Sequence, residues 1–168
     1  MAAPSVIVVM GVSGSGKTTV GRALARDLGW EFVDGDELHS PENVAKMARG
    51  VPLDDADRAP WLAAIAAVVA ERVRARHPAV IACSALRRVY RDEIRGGLPE
   101  VAFAYLRGEE SLLRQRLRAR PGHFAHEDLL ASQLATLEEP APDEGIPSFS
   151  IDEPPDAITA RIRGTLVP

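Results

Sequence analysis

The sequence predicts an α/β domain with a mostly parallel sheet flanked by helices, and three observations carry that expectation. Short apolar runs rich in β-branched residues alternate with segments of helical periodicity. The first run leads through a glycine-rich loop into a helix. The length of 168 residues suits one domain and can bury a sizeable core without disulfide or metal staples.

The elements follow in order. Ser5 to Met10 (SVIVVM) is a buried strand. Val20, Leu24 and Leu28 fall at helical spacing, and Gly29 ends that helix. Trp30 to Val33 is a short second strand running into Asp34-Gly35-Asp36. Ser40-Pro41 opens a helix, with serine as N-cap and proline in its first position, and the helix ends near Gly50. Val51 to Ala59 is a loop, and Pro60 opens a helix to about Arg76. Ala79 to Cys83 is the third strand, Leu86 to Arg95 an arginine-rich helix stopped by Gly96-Gly97, and Val101 to Leu106 the fourth strand. Helices are expected over Glu109–Arg120, Glu127–Glu138 and Asp156–Leu166, with a last strand over Ser148–Ile151. No internal repeat or interdomain linker is visible, so residues 1–168 form one domain.

Composition narrows the function. Lys and Arg total 20 against 24 Asp and Glu, a net charge of −4, which argues against a nucleic-acid-coating protein. The single cysteine, Cys83, excludes an intramolecular disulfide and a multi-cysteine metal site, and it suits a reducing compartment. No apolar run reaches the roughly 20 residues that span a membrane, and Val6–Met10 lacks the basic flank of a signal peptide. The expected location is the cytoplasm, without membrane partners.

The residues Gly11-Val12-Ser13-Gly14-Ser15-Gly16-Lys17-Thr18, followed by Thr19, fit G-x-x-x-x-G-K-[ST] between a strand and a helix. Backbone N–H groups of such a loop face a phosphate chain, reinforced by the positive end of the helix. Lys17 is expected at the β- and γ-phosphates, and the Thr18 hydroxyl on magnesium. The third strand ends Ala82-Cys83-Ser84 without an acid. The acidic candidates are therefore Asp34 and Asp36, at the carboxyl end of the second strand, where ligands of parallel sheets bind. One could hold magnesium and the other grip a hydroxyl. No water-positioning Gln or Glu identifies itself, which favours transfer to a bound acceptor over hydrolysis.

Arg116 and Arg120 project with Leu112, Leu113 and Leu117 on a helical wheel, and a phosphate crevice would satisfy their charges. The following Pro121-Gly122-His123-Phe124 suits a lid. Arg58, Arg87, Arg88 and Arg91 form a second set suited to a carboxylate. His39 lies in the same candidate site loop, Cys83 reads as a buried small hydrophobe, Trp61 as core, and Tyr90 as either.

A longer ordered set is more specific. It runs Asp34-Gly35-Asp36-Glu37-Leu38-His39-Ser40-Pro41-Glu42-Asn43, Lys46-Met47, Gly50, Pro52-Leu53, Asp55, Asp57-Arg58 and Pro60-Trp61-Leu62. It continues through Cys83-Ser84-Ala85-Leu86-Arg87-Arg88, Tyr90-Arg91-Asp92, Gly122-His123-Phe124, Leu130, Ser132-Gln133, Leu137-Glu138, Pro140 and Asp143-Glu144. This set resembles the gluconate kinases (gluconokinases), small P-loop kinases akin to shikimate and adenylate kinases, over about Val6 to Glu144.

The resemblance implies a three-layer P-loop kinase fold of nucleoside-monophosphate-kinase type, with a substrate-binding subdomain over about 36–62 and a lid over about 116–130. It implies transfer of the ATP γ-phosphate to the 6-hydroxyl of D-gluconate, with Mg2+, in a homodimer. Asp34 would then lie near the metal and Asp36 toward the acceptor hydroxyl. His39, Arg58, Ser84, Arg87 and Arg91 would be substrate-side residues, and Arg116 and Arg120 lid residues. Pro121 in the lid and Ala125, where methionine is expected, depart from the pattern. The alternatives are a related kinase for a shikimate- or nucleotide-type acceptor, and a nucleotide-binding regulatory module.

Overall fold

The computed structural model describes residues 3–120 and 123–168. Its sheet has five parallel strands: β1 (Val6–Met10), β2 (Glu31–Asp34), β3 (Ala79–Ala82), β4 (Val101–Arg107) and β5 (Ser148–Ser150), in the order β2-β3-β1-β4-β5. The helices are α1 (Lys17–Leu28), α2 (Pro41–Ala48), α3 (Asp55–Ala75), α4 (Arg88–Arg95), α5 (Glu110–Arg118), α6 (His123–Thr136) and α7 (Pro155–Leu166). Single 3-10 turns occupy Gly35–Leu38 and Pro142–Glu144.

β1 is the centre of the sheet and every residue of it is fully buried. That requires cover on both faces, and α1 and α3 both pack against β1, α1 with α7 beside it and α3 with α4. Burial on two faces is why β1 reads as an unbroken apolar run rather than an alternating one. Val8 lies opposite Ile81 on one side and Phe103 on the other. The parallel register brings the carboxyl ends of β1, β2 and β3 to one edge, and from that edge leave the glycine-rich loop, the Gly35–Leu38 turn and the Cys83–Arg87 connection. Ligands of such sheets bind at this edge.

Several boundaries differ from expectation for local reasons. α3 begins at Asp55 rather than Pro60, because the Asp54 carboxylate accepts from Asp57 N–H at 2.7 Å and the Asp57 carboxylate accepts from Asp54 N–H at 3.1 Å. This reciprocal cap starts the helix, and Pro60 sits in the second turn, forgoing one helical bond. Arg58 therefore joins Trp61, Leu62, Ile65 and Val69 on the buried stripe of α3 instead of lying in a loop. α4 begins at Arg88 rather than Leu86, since Arg87 is extended, with φ −108° and ψ 151°, and so stands as the N-cap rather than inside the helix. α5 ends at Arg118, so Arg120 lies beyond the helix and its direction is not set by helical spacing. α6 begins at His123 and ends at Thr136, four and two residues earlier than expected. Of the expected lid, Pro121, Gly122 and the side chains of residues 123–126 lie outside the described residues.

Candidate active site

The loop after β1 turns on glycine. Gly16, with φ 93°, is the residue before α1, a left-handed position that a side chain rarely adopts. Helix α1 then starts at Lys17 and presents its N-terminal end to a cavity of about 430 Å³. Ser13, Gly14, Gly16, Lys17, Thr18 and Thr19 form one wall of it. Val12 is buried, and its carbonyl accepts from Lys17 Nζ at 3.1 Å. Burial lowers the Lys17 pKa from its ordinary value, and the negative charge of Asp36 opposes that shift. Gly11 admits no side chain, since a Cβ there would stand 2.7 Å from Ser15 Oγ and 2.9 Å from the Leu106 carbonyl.

Asp34 ends β2, and its Oδ1 accepts from Asp36 N–H at 3.0 Å, which caps the 3-10 turn. The turn carries Asp36 and, just past its end, His39 to the cavity. Asp34 does not line the cavity, although its charge is felt at Lys17. Gly35 makes this close turn feasible: a Cβ there would fall on the Ala82 carbonyl and 3.0 Å from Ile65 Cδ1.

The His39 tautomer follows from its neighbours. Asn43 Nδ2 donates to the Asp57 carbonyl at 2.9 Å, which identifies it as nitrogen, and the same atom meets His39 Nδ1 at 3.3 Å. Nδ1 must therefore accept, leaving the proton of the neutral ring on Nε2. Burial lowers the His39 pKa, in keeping with a neutral ring. The ring stacks on Trp61 at 4.2 Å, and Trp61 Nε1 donates to the Gly35 carbonyl at 2.8 Å. Trp61 is thus both core, as expected, and cavity wall.

The expected arginines divide. Arg58 is 8% exposed and lines the cavity, yet it has no carboxylate partner among the described residues; its Nη1 only reaches Tyr90 Oη at 3.5 Å. A buried cation without an anion is costly unless a ligand supplies one. Arg91 is the opposite case. It is 2% exposed, bonded twice to Glu144 at 2.8 and 3.0 Å, and donates to the carbonyls of Ala85 and Leu86. The structure thus places Arg91 away from the cavity wall, with its guanidinium bonded to Glu144 and to the connection that carries Ser84. Arg87 is half-exposed and paired with Asp55 and Glu138; it is not on the wall of the Lys17 cavity but lines an adjoining groove with Arg58. Arg88 pairs with Asp143 on the surface.

Arg120 and Ser84 line the cavity as expected. Arg116 does not; its Nη2 donates to the Ile151 carbonyl at 2.7 Å, an acceptor at the start of the β5–α7 connection that competes for the guanidinium. Arg114 and Arg118 point elsewhere, to Glu110 and to Glu127 on α6. Cys83 is fully buried, which pushes its thiol up to about 12 and makes it an inert core residue. Tyr90 donates to Asp55 and lies beneath both Arg58 and Arg87.

Gln133 belongs to the ordered set that carries the family resemblance, but no role is expected for it from the sequence. It lines the cavity and its Oε1 accepts from Ser13 N–H at 2.8 Å. A polar residue on a helix has no local signature for such a long-range contact, so its place in that set does not disclose the bond to Ser13.

Among the described residues no group of three or more His, Cys, Asp or Glu could cage a metal. The oxygens present are the Thr18 hydroxyl and the nearby Asp34 and Asp36 carboxylates. Such hard donors, few in number, fit a magnesium ion that takes its remaining ligands from phosphate and water.

Residues 6–140 match the family described as AAA domain. Gluconokinase of Gluconobacter oxydans is 50% identical over 155 residues, covering 92% of this chain and 87% of its own. Thermoresistant gluconokinase of Escherichia coli is 43% identical over 156 residues, covering 92% and 89%. A crystal structure of a gluconokinase from Sinorhizobium meliloti superposes with a TM-score of 0.82 at 45% identity, covering 99% of this chain and 97% of that one. Shikimate kinase of Aquifex aeolicus, at 15% identity and TM-score 0.63, covers 96% of this chain and 95% of its own and shares the fold.

Proposed function

The chain belongs to the gluconokinase family of P-loop kinases, and from that premise we propose that it transfers the γ-phosphoryl group of ATP to the 6-hydroxyl of D-gluconate, giving 6-phosphogluconate and ADP. The observation that carries the substrate reading is Arg58: a buried guanidinium, unpaired with any acid among the described residues, in the cavity whose other wall is the phosphate loop. Gluconate supplies a carboxylate for Arg58 at one end and a primary hydroxyl for transfer at the other.

Phosphoryl transfer needs positioning and charge neutralisation more than covalent chemistry. Residues 11–19 hold the triphosphate through loop amides and the α1 N-terminus. Lys17 and Arg120 neutralise the charge of the transferring group. Asp36 accepts the hydrogen bond of the 6-hydroxyl and takes its proton as the new O–P bond forms and the β–γ bridge breaks. His39 Nε2–H and the Ser84 hydroxyl donate to or orient the sugar hydroxyls. Thr18, with Asp34 through water, would hold Mg2+, which when bound offsets charge on the β- and γ-phosphates. Residues 36–62 act as the acceptor-binding segment and residues 116–130 as a lid that excludes water. We further propose a cytoplasmic homodimer; Cys83 suits a reducing compartment, and no described helix is long and apolar enough to cross a membrane.

An acceptor panel tests the reading. With magnesium and ATP, D-gluconate should support ADP release, whereas shikimate, AMP and a neutral hexitol should not. Turnover with shikimate or AMP in place of gluconate would overturn the acceptor assignment, and acceptor-independent ADP release would favour a nucleotide-binding regulator.

A further inference from the structure

One amide of the phosphate loop is engaged by a side chain 120 positions away: Ser13 N–H donates to Gln133 Oε1 at 2.8 Å. Gln133 is carried by α6, and both residues line the cavity that also holds Lys17, Asp36 and Ser84. The contact fixes the orientation of the carboxamide. An N–H donor must face the oxygen, so the amide NH2 of Gln133 is the end turned away from Ser13. Ser13 stands four residues before Lys17 and lines the same cavity, and it is the lysine of this loop class that reaches the β- and γ-phosphates.

We propose that Gln133 contacts the transferring phosphoryl group: Ser13 N–H anchors Oε1, and Nε2 donates to a γ-phosphoryl oxygen. This rests on the kinase reading above and adds a residue to it. Lys17 and Arg120 bring charge to the site, while Gln133 brings a neutral dipole whose direction is set in advance by the backbone. A donor held in place needs no reorganisation as charge builds in transfer. The contact requires a third phosphate, so ATP engages Gln133 Nε2 and ADP does not.

The test compares the parent chain with Gln133→Met and Gln133→Glu in two readouts: affinity for Mg-ATP and Mg-ADP without acceptor, and gluconate-dependent turnover. Methionine keeps the volume and loses both ends of the amide without adding charge, so it carries the ATP-against-ADP comparison; glutamate keeps an acceptor for Ser13 N–H, loses the donor and adds a negative charge that opposes both nucleotides. ADP affinity and KM for gluconate should stay within about twofold of the parent in Gln133→Met. ATP affinity and kcat should each fall about tenfold or more in both. Parent-like ATP affinity and kcat in Gln133→Glu would mean that the link to Ser13 alone matters, and would overturn the proposal. Equal or tighter ATP binding by Gln133→Met would mean that Gln133 merely occupies Ser13 N–H, and a parallel loss of ADP affinity would mean a structural role; either result also overturns it. The nucleotide arm contains no acceptor. A parent that fails to use gluconate, with the ATP-over-ADP preference still lost in Gln133→Met, would therefore sink the acceptor reading and leave Gln133 in place.

Discussion

Replacing Arg58 by alanine isolates the feature on which the substrate reading rests. The side chain is 8% exposed, lines the cavity, and has Tyr90 Oη at 3.5 Å as its hydrogen-bond partner. Its removal therefore breaks no ion pair among the described residues, unlike removal of Arg91, and the main interaction lost is the one expected with ligand. A hydrogen bond to a charged group contributes about 1.5–3 kcal/mol, and about 1.4 kcal/mol is a factor of ten, so KM for gluconate should rise about 10- to 150-fold. KM for ATP should stay within about twofold, because the loop residues are untouched. Initial rates of ADP release, with gluconate varied at saturating ATP and the reverse, measure both constants. A neutral hexitol supplies a second reading: the variant should discriminate less between it and gluconate than the parent does. A gluconate KM within twofold of the parent, in a folded variant, would refute the assignment of Arg58 to the carboxylate.

Three other outcomes are expected. Asp36→Asn should lower kcat by about 10²–10⁴ while leaving ATP affinity nearly unchanged; a kcat within threefold of the parent in steady-state assays would remove Asp36 from the proton's path. Arg91→Met leaves Glu144 buried without its cation, which should cost about 3–5 kcal/mol in urea unfolding; a loss below about 1 kcal/mol would show that the pair contributes little. His39 should titrate below its ordinary value of 6.5, in the direction burial sets. Because the folded pKa is the depressed one, its contribution to stability is present above pH 6.5 and is lost as pH falls through the folded value. Nitrogen NMR of the ring should find the proton on Nε2 near pH 7, and a proton on Nδ1 would contradict the contact with Asn43.

Much of the fold was legible because its signals are local. The β1 run, the glycine loop, the Gly29 stop and the Ser40-Pro41 start each depend on neighbours within a few residues. The start of α3 was misplaced because proline drew more weight than the Asp54–Asp57 cap, and that error hid Arg58 on a buried helical stripe. The arginines were not separable by type or spacing. Arg58 and Arg91 are both buried, and only the arrival of Glu144 from a distant turn decides that one is structural and the other free to meet a ligand. The bond that holds Arg116 is equally distant, since the Ile151 carbonyl lies 35 positions on. Gln133 shows the limit most plainly, because its partner Ser13 is near the other end of the chain.

The most direct test of the account is ADP release from magnesium-ATP with and without D-gluconate, with the product identified in the same reaction. The account predicts gluconate-dependent turnover that yields 6-phosphogluconate in a one-to-one ratio with ADP. ATP binding without any stimulation by gluconate, or phosphate delivered to another position of the sugar acid, would contradict it.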